Sequence, residues 1–109
     1  KAGLPWELSK SFEQSAPLGF FKAYDPHSID LENLSFTCSV NGELRQEGNT
    51  RDMIFSVKSL IHTLSGWWTL KPGDIIFTGT PSGVGPLEAG DRVDIDSPVA
   101  GPFSWTLAS

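Results

Sequence analysis

The feature that most constrains this 109-residue chain is the run Ser35 to Gly48, "SFTCSVNGELRQEG". Its first half alternates, with Phe36, Cys38 and Val40 on one side and Ser35, Thr37 and Ser39 on the other, as a strand with one buried face requires. Asn41-Gly42 follows. Both residues tolerate positive φ, which a two-residue hairpin turn demands, so "ELRQEG" reads as the returning antiparallel strand. A chain with this hairpin must build a sheet whose apolar face needs covering.

The next segment offers a cover. Asn49 and Thr50 are N-cap candidates, and Met53, Ile54, Val57, Leu60, Ile61 and Leu64 then fall at helical spacing, with Asp52, Lys58 and Ser59 opposite. Gly66 suits the C-terminal stop. The spacing predicts an amphipathic helix over about 50–65, packed on a core. Its polar face lacks the Lys and Arg richness of membrane-surface helices.

Elsewhere the pattern is short strands and turns. Ser9 to Asp25 reads as an ordered loop with a short strand, and Lys71-Pro72-Gly73-Asp74 as a turn into Ile75-Ile76-Phe77, a short apolar strand of buried type. Ala89-Gly90-Asp91 turns into "RVDID", and "FSWTL" alternates Phe103, Trp105 and Leu107 as a final strand. No internal repeat or linker interrupts them. The fold class is α+β, predominantly β, with one prominent helix.

With 39% hydrophobic and 11% aromatic residues, the chain can build at most one small domain with a core. A formal net charge of −5 argues against nucleic-acid binding, which rests on clustered Lys and Arg. The apolar stretches fall short of the roughly 18 residues of a membrane span. A single cysteine, Cys38, forms no internal disulfide, and with no signal-peptide pattern the expected location is cytoplasmic. The opening "KAGLPWELSK" has no initiator methionine, so a piece of a longer polypeptide is expected.

Chemistry concentrates in "DIIFTGTPSGVG", Asp74 to Gly85. Glycines that admit backbone N–H groups, with the hydroxyls of Thr78, Thr80 and Ser82, suit an anion cradle; a tight turn between strands is the plain alternative. The Gly-Lys-Ser/Thr ending and the following helix of a nucleotide loop are both missing. Lys10, in "LSKSF", is either a solvated surface charge or a desolvated lysine able to stabilise an enolate or pass on a proton. His27 and His62 lack partners at metal-ligand spacing, and the carboxylates read as scattered, so no complete metal site is expected in this chain. The Trp67-Trp68 and Phe20-Phe21 pairs are core or interface residues.

Three segments together, "LPWELSKSFEQSAPLGFF", "VNGELRQEGNTRDMIFSV" and "LKPGDIIFTGTPSGVGPLEAGDRVDI", resemble the C-terminal half of the fumarylacetoacetate hydrolase family. The likeness is greatest to its small acylpyruvase and oxaloacetate decarboxylase-like members, and it covers nearly the whole chain. It implies that residues 1–109 are the C-terminal part of a single catalytic domain, a mixed β-roll. It also implies a magnesium or manganese ion held by a Glu-x-Glu pair and an Asp, all upstream of Lys1, as is the catalytic lid; the 109 residues alone would then be inactive.

By the same resemblance, Lys10 would be catalytic, contacting a bound 2-oxo acid. Thr80 would bind its carboxylate or oxo group, with Gly79, Gln14, Pro17 and Pro81 shaping the pocket. The implied reaction is metal-dependent C–C cleavage in a small 2-oxo acid, acylpyruvate hydrolysis or oxaloacetate decarboxylation, through a stabilised enolate. A decarboxylase/isomerase of aromatic catabolism and a non-catalytic β-rich binding domain are the alternatives. A homodimer is implied, with neither nucleic acid nor membrane as partner.

Overall fold

A computed structural model describes residues 10–108; the Leu4 to Ser9 part of the "KSF" segment lies outside them. The elements are β1 (Ser35–Val40), β2 (Glu43–Asn49), a 3₁₀ turn (Thr50–Asp52), α1 (Val57–Trp67), β3 (Arg92–Asp96) and β4 (Phe103–Thr106). The strands form one antiparallel sheet in the order β2-β1-β3-β4.

The hairpin forms as its sequence requires, with Asn41 at φ 51° and Gly42 at φ 81° joining β1 to β2. Cross-strand pairing then builds one apolar face. Gln46, Cys38, Ile95 and Phe103 stand in one row across the four strands, and Val40, Val93 and Trp105 in the next. Cys38 and Val40 are buried, and the rings of Phe103 and Trp105 lie 6.1 Å apart. Burial raises the Cys38 thiol pKa, because a thiolate there would lose hydration. The other face carries Ser39, Asp94 and Ser104 in register.

One irregularity interrupts the hairpin. Cys38 pairs with Gln46 but Ser39 pairs with Leu44, so Arg45 is an extra residue, a β-bulge. Counting inward from the turn, regular alternation would have set Arg45 opposite Cys38 and sent Gln46 to the polar face. The bulge reverses that choice.

The prominent helix is present but starts seven residues later than its apolar spacing predicts. Asn49 caps the short 3₁₀ turn through Arg51 N–H, Met53 is extended, and Ser56 then caps α1 by accepting from Ser59 N–H at 3.1 Å. Two polar caps in succession divide one apolar pattern, since each offers the backbone a local partner. Nor is α1 packed across the sheet. None of its residues is buried, and Ile61 and Trp67 are exposed.

Two strand expectations are corrected. Ile75-Ile76-Phe77 is not a strand, and Phe77 is 71% exposed, because no described strand lies alongside to complete a ladder. Residues 10–25 likewise contain a loop without a strand. That loop docks on β4 at Gly19, where a Cβ would strike the Phe103 ring.

The turns form where expected. Lys71 N–H donates to Asp74 Oδ2 at 2.7 Å, and Glu88 N–H to Asp91 Oδ2 at 2.8 Å, so each Asp closes its own turn. No helix among the described residues is long and apolar enough to cross a membrane.

Candidate functional site

The loop from Thr78 to Ser82 forms one wall of a cleft of about 640 Å³. Phe36 of β1, Met53, Ile54 and Phe55 before α1, and Leu60 within it also line this cleft. Glu47, Asn49, Thr50 and Asp52 supply a polar rim. An apolar pocket with a few convergent polar groups is the usual form of a small-molecule site.

Several contacts fix the loop against β2. Gln46 Nε2 donates to Thr80 Oγ1 at 2.9 Å and to the Pro81 carbonyl at 3.0 Å. Gly48 lies under Phe36 and Pro81; a Cβ there would come within 2.8 Å of the Phe36 ring and 3.1 Å of Pro81 Cγ. Gly83 sits on the bulge, where a Cβ would collide with the Arg45 carbonyl, and its φ of 102° is itself a conformation that L side chains rarely adopt. Gly79, at φ 92°, is needed for its backbone alone, since nothing stands within 4 Å of its would-be Cβ.

Thr80 and Gly79 therefore line the cleft together, with Pro81 beside them. Lys10 and Gln14 do not line it. Both are exposed, and Gln14 has the left-handed φ of 61° in a turn closed by Ser15 N–H to the Phe12 carbonyl at 3.0 Å. Sequence reasoning gave Gln46 no role. Its only signal is its place two residues before Gly48 on the return strand of the hairpin.

Among the described residues no group of three or more His, Cys, Asp or Glu side chains could hold a metal ion. Asp94 and Asp96, spaced as Asp-x-Asp on β3, share a face, and no third ligand joins them among the described residues. Asp94 is already engaged by the Ser104 hydroxyl at 2.7 Å and by Arg92 at 3.0 Å, which hold its carboxyl below the usual range. A second cleft of about 540 Å³ exposes Thr37, Glu47 and Asp96, again without such a group. His62 is exposed on α1. The described residues thus supply a polar, backbone-rich wall and no cation cage.

Comparison with known proteins gives a consistent set of relatives. Residues 1–107 match the family model for the fumarylacetoacetate hydrolase C-terminal domain. The chain is 47% identical over 95 residues to the oxaloacetate tautomerase YcgM of Escherichia coli K12, covering 87% of this chain and 43% of that protein. It is 49% identical over 98 residues to the human mitochondrial oxaloacetate tautomerase FAHD1, covering 86% and 42%.

Solved structures agree. A Yersinia pestis CO92 protein assigned to the same family superposes with a TM-score of 0.85 at 40% identity, over 97% of this chain and 48% of the other. Maleylpyruvate hydrolase from Sphingobium sp. SYK-6, in complex with manganese(II) and pyruvate, gives 0.73 at 40% identity, over 78% and 33%. The chain spans less than half the length of these proteins.

Proposed function

This chain belongs to the fumarylacetoacetate hydrolase family, and from that membership we propose that it forms the carboxylate-binding wall of an enzyme that makes the enolate of a small 2-oxo acid, with oxaloacetate as the first substrate to test. The observation that carries this reading is Thr80, a hydroxyl held by Gln46 on the wall of a cleft that Phe36, Met53, Phe55 and Leu60 also line, with Glu47 and Asp52 among its polar residues. A hydroxyl so placed can donate to a substrate carboxylate.

Tautomerisation, decarboxylation and C–C hydrolysis all share that enolate, so one wall can serve each of them. The names of the tautomerases at 47% and 49% identity favour the first. The 2-oxo acid in the manganese-bound Sphingobium relative supports hydrolysis of an acylpyruvate-type substrate as the second reading.

A divalent cation would polarise the 2-oxo group. The described residues do not fit one, and we assign no step through it; its ligands would lie outside them. Lys10 enters the proposal as positive charge beside the developing oxyanion, and Gln14 as a polar neighbour. Both roles require their segment to close over the cleft. The proposal also takes the active species to be a homodimer in the cytoplasm, to be checked by sedimentation and cell fractionation.

The test is an assay of the complete protein on oxaloacetate, an acylpyruvate and maleylpyruvate, with magnesium or manganese, following enol loss, carbon dioxide and pyruvate. Turnover of at least one, with KM raised about tenfold or more by Thr80→Ala as expected for a lost bond to a charged group, supports the reading. Turnover of none with either metal overturns it.

A further inference from the structure

We propose that Gln46 is a positioning residue that fixes Thr80 as a hydrogen-bond donor toward the substrate, and that the β-bulge at Arg45 exists in this fold to aim it there. The inference rests on the 2-oxo acid reading of the cleft and adds a residue to it.

The polarity follows from counting protons. The Pro81 carbonyl can only accept, so the Gln46 atom facing it at 3.0 Å must be the amide nitrogen. The same nitrogen lies 2.9 Å from Thr80 Oγ1, and its second proton is therefore donated to that hydroxyl. This removes the usual ambiguity of an amide side chain, whose two ends look alike. With one lone pair of Thr80 Oγ1 occupied by an incoming N–H, its own proton is the group left to give. Thr80 lines the cleft, where a carboxylate or enolate oxygen can take it.

Backbone geometry explains why glutamine stands at this position. Gln46 reaches the loop only because the extra residue Arg45 puts it in the row with Cys38. The bulge residue also carries the carbonyl against which Gly83 packs. One irregularity in β2 therefore sets both the height of the loop and the direction of its hydroxyl.

The experiment is steady-state kinetics of the complete protein on oxaloacetate for Gln46→Glu, Gln46→Lys and Thr80→Val, with melting temperatures to show that each variant folds. Glutamate at neutral pH only accepts, so it draws the Thr80 proton to itself and KM rises about tenfold or more, while kcat stays within about twofold. Lysine still donates to both acceptors and keeps KM within about threefold of the parent. Thr80→Val matches the glutamate variant in KM.

Equal KM increases in Gln46→Glu and Gln46→Lys would show that only packing matters and overturn the inference. A KM raised by Thr80→Val but indifferent to both changes at Gln46 overturns it while leaving the functional reading intact. Absence of wild-type turnover on any of the 2-oxo acids removes both.

Discussion

Asn41 Nδ2 donates to Asp91 Oδ1 at 2.7 Å, joining residues fifty positions apart in the chain. Asn41 Oδ1 accepts from Arg92 N–H at 2.9 Å, and its own N–H donates to the Arg92 carbonyl at 2.9 Å. The tip of the hairpin is thus fastened to the turn that launches β3. Asn41 does this from φ 51°, a region where short polar side chains are tolerated best.

Asn41→Gly keeps the backbone at ease but removes the side-chain bonds, and should cost about 1 kcal/mol. Asn41→Ala loses the same bonds and adds left-handed strain, for about 1 kcal/mol more. Urea unfolding of the two variants should rank them in that order; equal midpoints would show that strain at this position is negligible.

Acid should loosen the same junction. The Asp91 carboxyl is held below its ordinary range, first by the Glu88 N–H and then by the Asn41 amide, and Asp94 by the Ser104 hydroxyl and then Arg92. A lowered folded-state pKa gives stability that is complete above the unfolded Asp value of about 3.9 and is lost as pH falls through the folded value. Asp91→Asn should therefore show a shallower loss of urea midpoint between about pH 4 and pH 2 than the parent. An unchanged slope would mean that Asp91 has the same pKa folded and unfolded.

The loop glycines should differ in a definite order. Gly48→Ala meets the edge of the Phe36 ring and Pro81, both able to shift a little, and overpacking of this kind costs about 1–3 kcal/mol. Gly83→Ala meets the Arg45 backbone at a positive φ and has no such relief, so it should be the more destabilising and should raise KM for oxaloacetate by displacing Thr80. Equal melting temperatures for the two would argue against the close seating of the loop on the bulge.

Cys38 should behave as a packed thiol. It is buried on the apolar face and its pKa is raised, so little thiolate exists at neutral pH. An aromatic disulfide reagent should label it slowly in the native protein and rapidly in denaturant. Fast native labelling would mean that β1 opens readily.

The apolar surface left on the described residues has its own meaning. Ile54, Phe55, Ile61, Trp67 and Phe77 are all exposed, more than isolated apolar residues on a soluble surface require. The helix pattern that the sequence assigns to a packed face is real in its spacing. Among residues 10–108 that face is only half-buried, at Val57, Leu60 and Leu64.

The sequence by itself determined everything governed by neighbours in the chain. Alternation of Phe36, Cys38 and Val40, the Asn41-Gly42 turn, the aspartate-closed turns and the helical period around Leu60 are local physics, and each element formed. The family was legible too, because three motifs kept their order. Tertiary structure alone decided the rest. Whether Ile75 to Phe77 pairs depends on a strand alongside, whereas the start of α1 is local, set by two competing caps that apolar spacing alone does not weigh. Gln46 faces Thr80 only because one unpaired residue in β2 reverses the pleat, and a choice made across thirty-four positions leaves no periodic trace in the sequence.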